Sequence, residues 1–181
     1  GVIPNLLITG RGAPTGILVY EGNLLPEPFR GQMIHAEPGR NVVWAFPAKQ
    51  VGAGYTASIT NLVFSRRDRN FRPSDVSVAP DGSLIIADWF DPVDCCHRTL
   101  NDAGRLFRVA PPKHAYVVPE FNFKTPAGAA KALRNPNLSV RYKAWTALQA
   151  LQEKARPALT SLAVDMNPRL RARALWALAA I

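Results

Sequence analysis

Apolar and polar residues alternate over two stretches of the first 110 residues, and this alternation predicts antiparallel β-sheets. The clearest case is a β-hairpin with strands around residues 76–78 and 84–86. Its turn is Asp81-Gly82, because glycine can take the positive φ that a tight hairpin turn requires. A third strand is predicted at residues 105–109, and a fourth at residues 115–118.

The stretch before this hairpin contains four short apolar runs, which glycine, proline and asparagine separate. These runs predict a four-stranded meander with strands at residues 15–20, 31–36, 41–46 and 55–62. Consecutive four-stranded units of this length are typical of β-propeller blades. We therefore predict that residues 1–110 are a partial β-propeller and hold its last two blades.

The hydrophobic period changes from that of strands to that of helices at Thr125-Pro126. Thr125 is a predicted N-cap, and Pro126 suits the first turn of a helix, where its missing N–H costs no hydrogen bond. The predicted order is thus β then α, with a linker at residues 111–124 and helices over residues 125–181.

A pattern of apolar residue, arginine, alanine and leucine begins at Val140-Arg141 and recurs at Leu170-Arg171. An Asn-Pro pair precedes each copy, and a further helix is predicted between them at residues 155–164. Alanines on one face let paired helices pack closely, as in HEAT-like solenoids. We predict the start of a HEAT-like repeat, in which Arg141 and Arg171 order the turns between helices instead of binding a ligand.

Positive charge is concentrated in the helical part. The formal net charge is +9, and residues 126–181 hold nine basic and two acidic side chains. Such an excess indicates either an anionic partner or a solvated arginine face on a repeat. We favour the solvated face and expect no nucleic-acid partner, because base-stacking aromatic residues are not interleaved with these arginines along the sequence.

Both ends of the chain resemble the interior of a longer protein. Residues 1–4 lack a signal pattern, and no run of eighteen apolar residues is present, so neither a signal peptide nor a membrane span is predicted here. The first residues begin within a predicted sheet and the last ones end within a predicted helix. We expect the chain to be an internal fragment that is not active alone.

Four connecting segments are predicted to meet at one end of the sheets. Because antiparallel strands alternate in direction, residues 9–12, 37–40 and 65–72 and the loop after Asp88 lie opposite the Asp81-Gly82 turn. Their charged and aromatic residues are Arg11, Glu37, Arg40, Arg66, Arg67, Asp68, Arg69, Arg72, Asp88, Trp89, Asp91, Asp94, His97 and Arg98. Such a density of ionisable groups makes this end the candidate site.

The chemistry of these groups suits the oxidation of a sugar or polyol. Carboxylates can hold a hard cation, arginines bind carboxylates or phosphates, and a histidine among acids can act as a general base. A charged end that is only solvated surface would have the same composition, so both interpretations stay open. His35 lies within a predicted strand and is interpreted as a structural side chain.

The two cysteines, Cys95 and Cys96, are adjacent and precede His97. Covalent haem attachment requires two residues between the cysteines, and zinc sites also require a spacing. The sequence therefore contains no haem c or zinc motif. Whether the two sulfurs are thiols or form a strained disulfide stays open.

Several motifs together resemble a family of large membrane-bound dehydrogenases of the PVC type. In that family a glucose/sorbosone-dehydrogenase-like β-propeller precedes HEAT repeats and, in full-length members, a haem-binding CxxCH cytochrome c domain. The matching motifs lie at residues 13–20, 55–57, 71–76, 79–84, 87–92, 97–98, 104–111, 135–138 and 141–148.

This resemblance implies a quinoprotein-like sugar or alcohol dehydrogenase that uses pyrroloquinoline quinone and calcium. It implies His97 as the catalytic base, Arg72 and Arg98 as ligands of the cofactor carboxylates, and Asp88 and Asp91 as calcium ligands. It also implies an exported protein, periplasmic or associated with the cell envelope, with a cytochrome c domain elsewhere in its chain. The alternative is a non-catalytic propeller and HEAT scaffold that binds a protein or polysaccharide.

One departure from the family pattern affects the predicted site. The family has Gly-Gly where this chain has Cys95-Cys96. Glycine gives a loop backbone freedom that cysteine does not, so the loop is expected to differ in shape from that of the family.

Overall fold

The computed structural model describes residues 5–10, 12–13, 15–90 and 104–181. Over these residues the fold contains several antiparallel sheets followed by C-terminal helices, as the order β then α predicts. The chain divides into two compact units, which we call the β unit (Gly1–Ala79 and Ser83–His114) and the helical unit (Pro80–Gly82 and Ala115–Ile181). Within the described ranges, no helix has the length and apolar character that crossing a membrane requires.

Six strands lie in the described part of the first half of the β unit. They are β1 (Ile17–Val19), β2 (Met33–Glu37), β3 (Val42–Phe46), β4 (Ala48–Val51), β5 (Gly54–Ala57) and β6 (Thr60–Phe64). Four of them form an antiparallel sheet in the order β1-β2-β3-β6, while β4 and β5 form a separate hairpin. The predicted strands at residues 15–20, 31–36 and 41–46 are thereby confirmed, with shorter bounds for the first.

The predicted strand at residues 55–62 is wrong, because the structure divides this segment between two sheets. Its first part belongs to the β4-β5 hairpin, whose turn contains Gly52 at a φ of +58°. Its second part begins β6, the edge strand that pairs with β3. The hairpin is largely exposed and buries little apolar surface, so hydrophobic alternation gave no signal for it.

The second half of the β unit is a three-stranded antiparallel sheet. Its strands are β7 (Pro73–Val78), β8 (Leu84–Asp88) and β9 (Arg105–Val109), in that order across the sheet. Val78 pairs with Leu84 across the predicted turn, where Gly82 has a φ of +91°. The predicted hairpin and third strand are therefore confirmed.

The predicted fourth strand at residues 115–118 is wrong. These residues form no regular element, and Tyr116, Val117 and Val118 are exposed. Pro111 and Pro112 precede them, and proline cannot donate a hydrogen bond to a β-ladder, so the chain does not continue into the sheet.

The two larger sheets pack their apolar faces against each other within the β unit. The buried residues of this core are Tyr20, Leu25, Ile34, Ala36, Val43, Ala45, Phe71, Val76, Val78, Leu84 and Ile86. They lie at alternate positions along the central strands, as the period of two predicts. The other face of the first sheet buries Val42, Trp44 and Phe46, so β3 is buried on both sides.

The helical unit contains four helices, α1 (Pro126–Ala132), α2 (Leu138–Leu151), α3 (Arg156–Leu162) and α4 (Pro168–Leu178). Thr125 accepts a hydrogen bond from the backbone N–H of Gly128 and caps α1, which confirms the predicted start. Asn137 and Asn167 cap α2 and α4 in the same way. Polar N-caps therefore set the beginning of three of these helices.

The repeated pattern occupies equivalent positions in two helices. Val140, Ala144 and Leu148 of α2 are buried, as are Leu170, Ala174 and Ala177 of α4. Small alanines within these stripes let the helices approach closely and share one core.

Candidate functional site

Three of the predicted connecting segments meet at one end of the sheets. The side-chain amide of Asn41 donates hydrogen bonds to the carbonyls of Arg69, at 2.9 Å, and of Phe71. The backbone N–H of Trp89 donates to the carbonyl of Arg72 at 3.0 Å. We call this end, formed by residues 37–41, 65–72, 88–90 and 104–105, the rim. The alternation of strand direction predicted the first three of these segments, while residues 104–105 were predicted only as the start of a strand.

Asp88 lies at the centre of the rim, and its side chain is fully buried. Asp88 follows Leu84 and Ile86 on the inward face of β8. Because side chains alternate between the two faces of a strand, its carboxylate lies at the end of the apolar core. Asp88 Oδ1 accepts hydrogen bonds from the backbone N–H of Arg72 at 2.6 Å and of Phe90 at 3.0 Å. The carboxylate therefore fixes the segments before β7 and after β8.

Arg105 balances this carboxylate from the neighbouring strand. Asp88 and Arg105 are directly opposite each other in the β8-β9 ladder. Arg105 donates to Asp88 Oδ2 from Nε at 2.8 Å and approaches it with Nη2 at 2.5 Å, while its Nη1 lies 2.7 Å from an oxygen of Asp68. We call these three residues the Asp88–Arg105–Asp68 clasp. The hydrogen bond that Asp68 accepts from Arg105 lowers the pKa of the Asp68 carboxyl, which keeps it ionised.

Aromatic rings hold the guanidinium of Arg105 in place. Its Cζ lies 4.4 Å from the ring centroid of Phe90 and 5.2 Å from that of Phe107, both within cation–π range. Phe90 has a φ of +52°, in the left-handed region that bulky side chains avoid. The clasp therefore holds the chain in an unfavourable conformation at Phe90, the last described residue before residues 91–103.

The clasp joins the described residues on either side of residues 91–103, since Phe90 precedes this segment and Gly104-Arg105 follows it. Of the five residues with a predicted catalytic, cofactor or metal role, three lie in this segment and outside the described residues, namely Asp91, His97 and Arg98, as do Asp94, Cys95 and Cys96. Arg11 also lies outside the described residues. Of the residues with a predicted role, the structure brings together Arg72 and Asp88, and it joins Asp68, another predicted rim residue, to Asp88 through Arg105.

Arg72 lies on the rim but contacts Asp88 through its backbone. Its guanidinium Nη1 donates to the carbonyl of Arg69 at 2.8 Å, in an exposed position. The side chain is thus placed at the surface of the rim, where it could meet an anion.

The arrangement of Asp88 does not fit the expected role of a calcium ligand. Both of its oxygens accept hydrogen bonds, and the guanidinium on Oδ2 would repel a cation at the same place. Within the part of the chain that the structure describes, no group of three or more His, Cys, Asp or Glu side chains could hold a metal ion. Asp88 is therefore assigned a structural role in the clasp.

Glu37 and His35 are also used inside the fold. The buried carboxylate of Glu37 accepts hydrogen bonds from the backbone N–H of Ala13 at 2.8 Å and of Gly39 at 3.0 Å. A side chain at Gly12 would overlap this carboxylate, so the sequence needs glycine there. His35 Nε2 accepts from the backbone N–H of Thr15 at 3.4 Å, which agrees with its predicted structural role.

A cavity of about 340 Å³ lies beside the clasp. It is lined by Val63, Phe64, Ser65, Asp68, Phe71, Arg105, Phe107, Arg108 and Val109. Sequence reasoning treated Arg105 and Phe107 only as strand residues and missed their place in the site. Their spacing of two, which puts them on one face of β9, was the signal that could have found them.

Comparison with known families covers this whole region. Residues 8–113 match the family model DUF7133, described as a domain of unknown function. The chain belongs to the DUF7133 family. The DUF7133 match contains the nine strands of the described residues, the clasp and residues 91–103, and it ends before α1. No curated protein and no solved structure gives a significant match to the chain.

Proposed function

We propose that this DUF7133 region is part of a β-propeller module that oxidises a sugar or another alcohol, with the loop at residues 91–103 as its reactive element. One observation carries the proposal. A single buried carboxylate, Asp88, binds the segment before β7, the entry to the loop and the strand that leaves it. Catalytic side chains are commonly carried on loops that a rigid scaffold positions, and residues 91–103 hold Asp91, Asp94, His97 and Arg98 close together in sequence.

The sheet arrangement supports the propeller part of the proposal. A four-stranded and a three-stranded antiparallel sheet follow each other along the chain and pack face to face through apolar side chains. Successive sheets of this size are typical of neighbouring propeller blades. The helical unit that follows agrees with the order of a propeller and a HEAT-like repeat.

His97 is the proposed general base, because a neutral imidazole can take the proton of a substrate hydroxyl near neutral pH. Arg98 on the loop and Arg72 on the rim are proposed to bind anionic groups. Since Asp88 does not fit a calcium ligand and Asp91 lies outside the described residues, we assign no calcium site. No step is therefore derived through the quinone that the resemblance implies.

The proposal includes an exported parent protein in the periplasm or cell envelope. Electrons would leave through a cytochrome c domain elsewhere in that protein, because this chain has no CxxCH motif. The substrate partner is a small sugar or alcohol.

A non-catalytic scaffold that binds a protein or polysaccharide is the second candidate. It is favoured by the use of buried rim carboxylates within the fold, because Glu37 and Asp88 both accept backbone hydrogen bonds. Such a rim could hold residues 91–103 in place as a binding surface for a protein or polysaccharide, with no reactive side chain required.

Dye reduction with a panel of sugars and alcohols tests the two candidates, using the longest natural protein that contains this chain, supplied with pyrroloquinoline quinone and calcium. We expect reduction by the unaltered protein and a loss of at least about 100-fold in His97→Gln, the usual effect of removing a general base. His114→Gln is the matched control and should keep full activity, because His114 lies outside the rim. Absence of dye reduction across the panel, or full activity in His97→Gln, would favour the scaffold.

A further inference from the structure

A groove of about 420 Å³ runs along the helical unit between α2 and α4. It is lined by Leu133, Leu138, Arg141, Tyr142, Trp145, Arg173 and Trp176. We call it the α2/α4 groove. Its volume lies within the range of pockets that bind small ligands or single side chains of a partner.

Three apolar side chains of this groove lie outside the buried core of the helical unit, whereas Leu133 belongs to that core and Trp145 packs against it. Leu138, Tyr142 and Trp176 are 71%, 67% and 76% exposed. Leu138, Tyr142 and Trp145 follow each other at helical spacings of four and three on α2, so they form a stripe beside the buried stripe that begins at Val140. An exposed apolar stripe with aromatic side chains is typical of a surface that binds a partner.

The charge of the groove is positive. Arg141 and Arg173 are its ionisable cations, and none of its lining residues is acidic. Arg173 Nη1 donates to the carbonyl of Leu133 at 3.1 Å, which holds this guanidinium at the edge of the groove. The helical segment around it has nine basic and two acidic side chains, and those two acids pair with Arg156 and Arg134. A partner with negative charge is therefore favoured.

Arg141 and Arg171 occupy equivalent positions in the repeat. Arg171 donates from Nη1 to the carbonyls of Asp165 at 2.9 Å and Met166 at 3.0 Å, as a turn-ordering residue should. Arg141 lies along the wall of the groove.

We propose that the α2/α4 groove binds an acidic peptide segment in which a leucine or aromatic side chain is flanked by aspartate or glutamate. The apolar side chain would pack against Tyr142 and Trp176, while the flanking carboxylates would pair with the guanidinium groups of Arg141 and Arg173.

A peptide fits this groove better than a nucleic acid does. Binding of single-stranded nucleic acid needs a row of cations along the backbone as well as stacking rings. The groove has two arginines, and Leu133 and Leu138 supply aliphatic walls that suit a side chain more than a base.

Fluorescence anisotropy with the full 181-residue chain tests the proposal. The probe is a labelled nine-residue peptide with a central phenylalanine and aspartates on both sides, and its control has asparagines in place of the aspartates. We expect saturable binding of the acidic peptide and at least about tenfold weaker binding of the amide peptide, equivalent to the loss of one charged contact.

Variants locate the binding. Trp176→Ala and Tyr142→Ala should each weaken binding about tenfold, as is common for aromatic side chains at the centre of an interface. Leu175→Ala is the matched control, because Leu175 is also exposed on α4 but does not line the groove. It should bind as the unaltered chain does. Alanine favours helix, so Tyr142→Ala is expected to fold, which circular dichroism checks.

Three results would overturn the proposal. The first is equal affinity for the acidic and amide peptides, and the second is unchanged affinity in a folded Tyr142→Ala variant. The third is tighter binding of an oligodeoxythymidine of the same charge in the same groove, which would assign this surface to single-stranded nucleic acid.

Discussion

Asp88 shows how one buried side chain can connect distant parts of the β unit. Its carboxylate accepts hydrogen bonds from Arg72, Phe90 and Arg105, which come from three different segments. A buried charge is costly unless it is paired and hydrogen-bonded, and here both conditions are met. The residue is therefore a structural requirement of the rim, whatever chemistry the loop performs.

Removing the charge of Asp88 should destabilise the β unit strongly. Asp88→Asn places an amide N–H₂ or a weaker acceptor against the guanidinium of Arg105, so we expect a loss of about 3 kcal/mol in the free energy of unfolding. Urea denaturation measures it. Asp68→Asn is the matched control, because Asp68 also pairs with Arg105 but is one-third exposed, and its effect should be much smaller. Equal effects would contradict the central role of Asp88.

His35 should make the stability of the β unit depend on pH. Burial lowers its pKa below 6.5, and the nearby charge of Glu37 opposes this shift. The unfolded chain therefore takes up a proton at a higher pH than the folded chain does. The contribution of neutral His35 to the free energy of unfolding should be fully present above pH 6.5. It should be lost as the pH falls through the lowered pKa that His35 has in the folded state.

Denaturation at several pH values, with His35→Gln as the comparison, measures this effect. The glutamine variant cannot bind the proton, so its stability should change less with pH between the unfolded and folded pKa values of His35. The same pH dependence in both proteins would show that other groups cause it.

The helices of the second unit depend on their capping residues. Thr125, Asn137 and Asn167 each accept a backbone hydrogen bond at the start of a helix. The first turn of a helix has backbone donors without intrahelical partners, and a polar side chain satisfies one of them. These residues, together with the prolines near them, explain why helix starts were predicted more accurately than the β4-β5 hairpin.

Asn137→Ala should destabilise the helical unit by about 1 kcal/mol, because it removes the acceptor for the N–H of Val140. Thr146→Ala is a suitable control within the same helix. Its hydroxyl bonds back to the carbonyl of Tyr142, an arrangement that adds little to helix stability. Thermal denaturation followed by circular dichroism compares them, and a smaller loss in Asn137→Ala than in Thr146→Ala would contradict the prediction.

The whole chain combines a β unit, which contains the DUF7133 match, with a basic helical unit. The charge of +9 alone would suggest a polyanion as partner. The helical acids instead pair locally with Arg134 and Arg156, and Arg171 serves a turn, so part of the basic character has a structural use.

Weak and salt-sensitive binding to nucleic acid is therefore the expected behaviour of the chain. Filter binding with an oligonucleotide at low salt and at physiological salt measures it. Affinity should fall steeply between the two conditions and should vanish at physiological salt, because non-specific contacts release counterions. Saturable binding that persists at physiological salt would contradict this expectation.

Local sequence patterns predicted the positions of six of the strands that the structure describes, and of the helices. Alternation located the β7-β8 hairpin, and Thr125-Pro126 and Asn167-Pro168 located the starts of α1 and α4. Both patterns depend on residues that are close in sequence, so the amino-acid sequence alone is sufficient to detect them. Strand direction even predicted which connecting segments share the rim, since antiparallel neighbours alternate.

Only the tertiary structure decided which of those side chains contact each other. From the sequence, Asp88 was expected to be a metal ligand. The fold instead pairs it with Arg105 in the β8-β9 ladder, and no local sequence pattern specifies the register of that ladder. Trp176 and Tyr142 are separated along the chain, and the packing of α4 beside α2 brings them to one groove with two arginines. The chemistry of the rim and of the α2/α4 groove therefore depends on contacts between residues distant in sequence, which the burial of apolar side chains in each unit brings together.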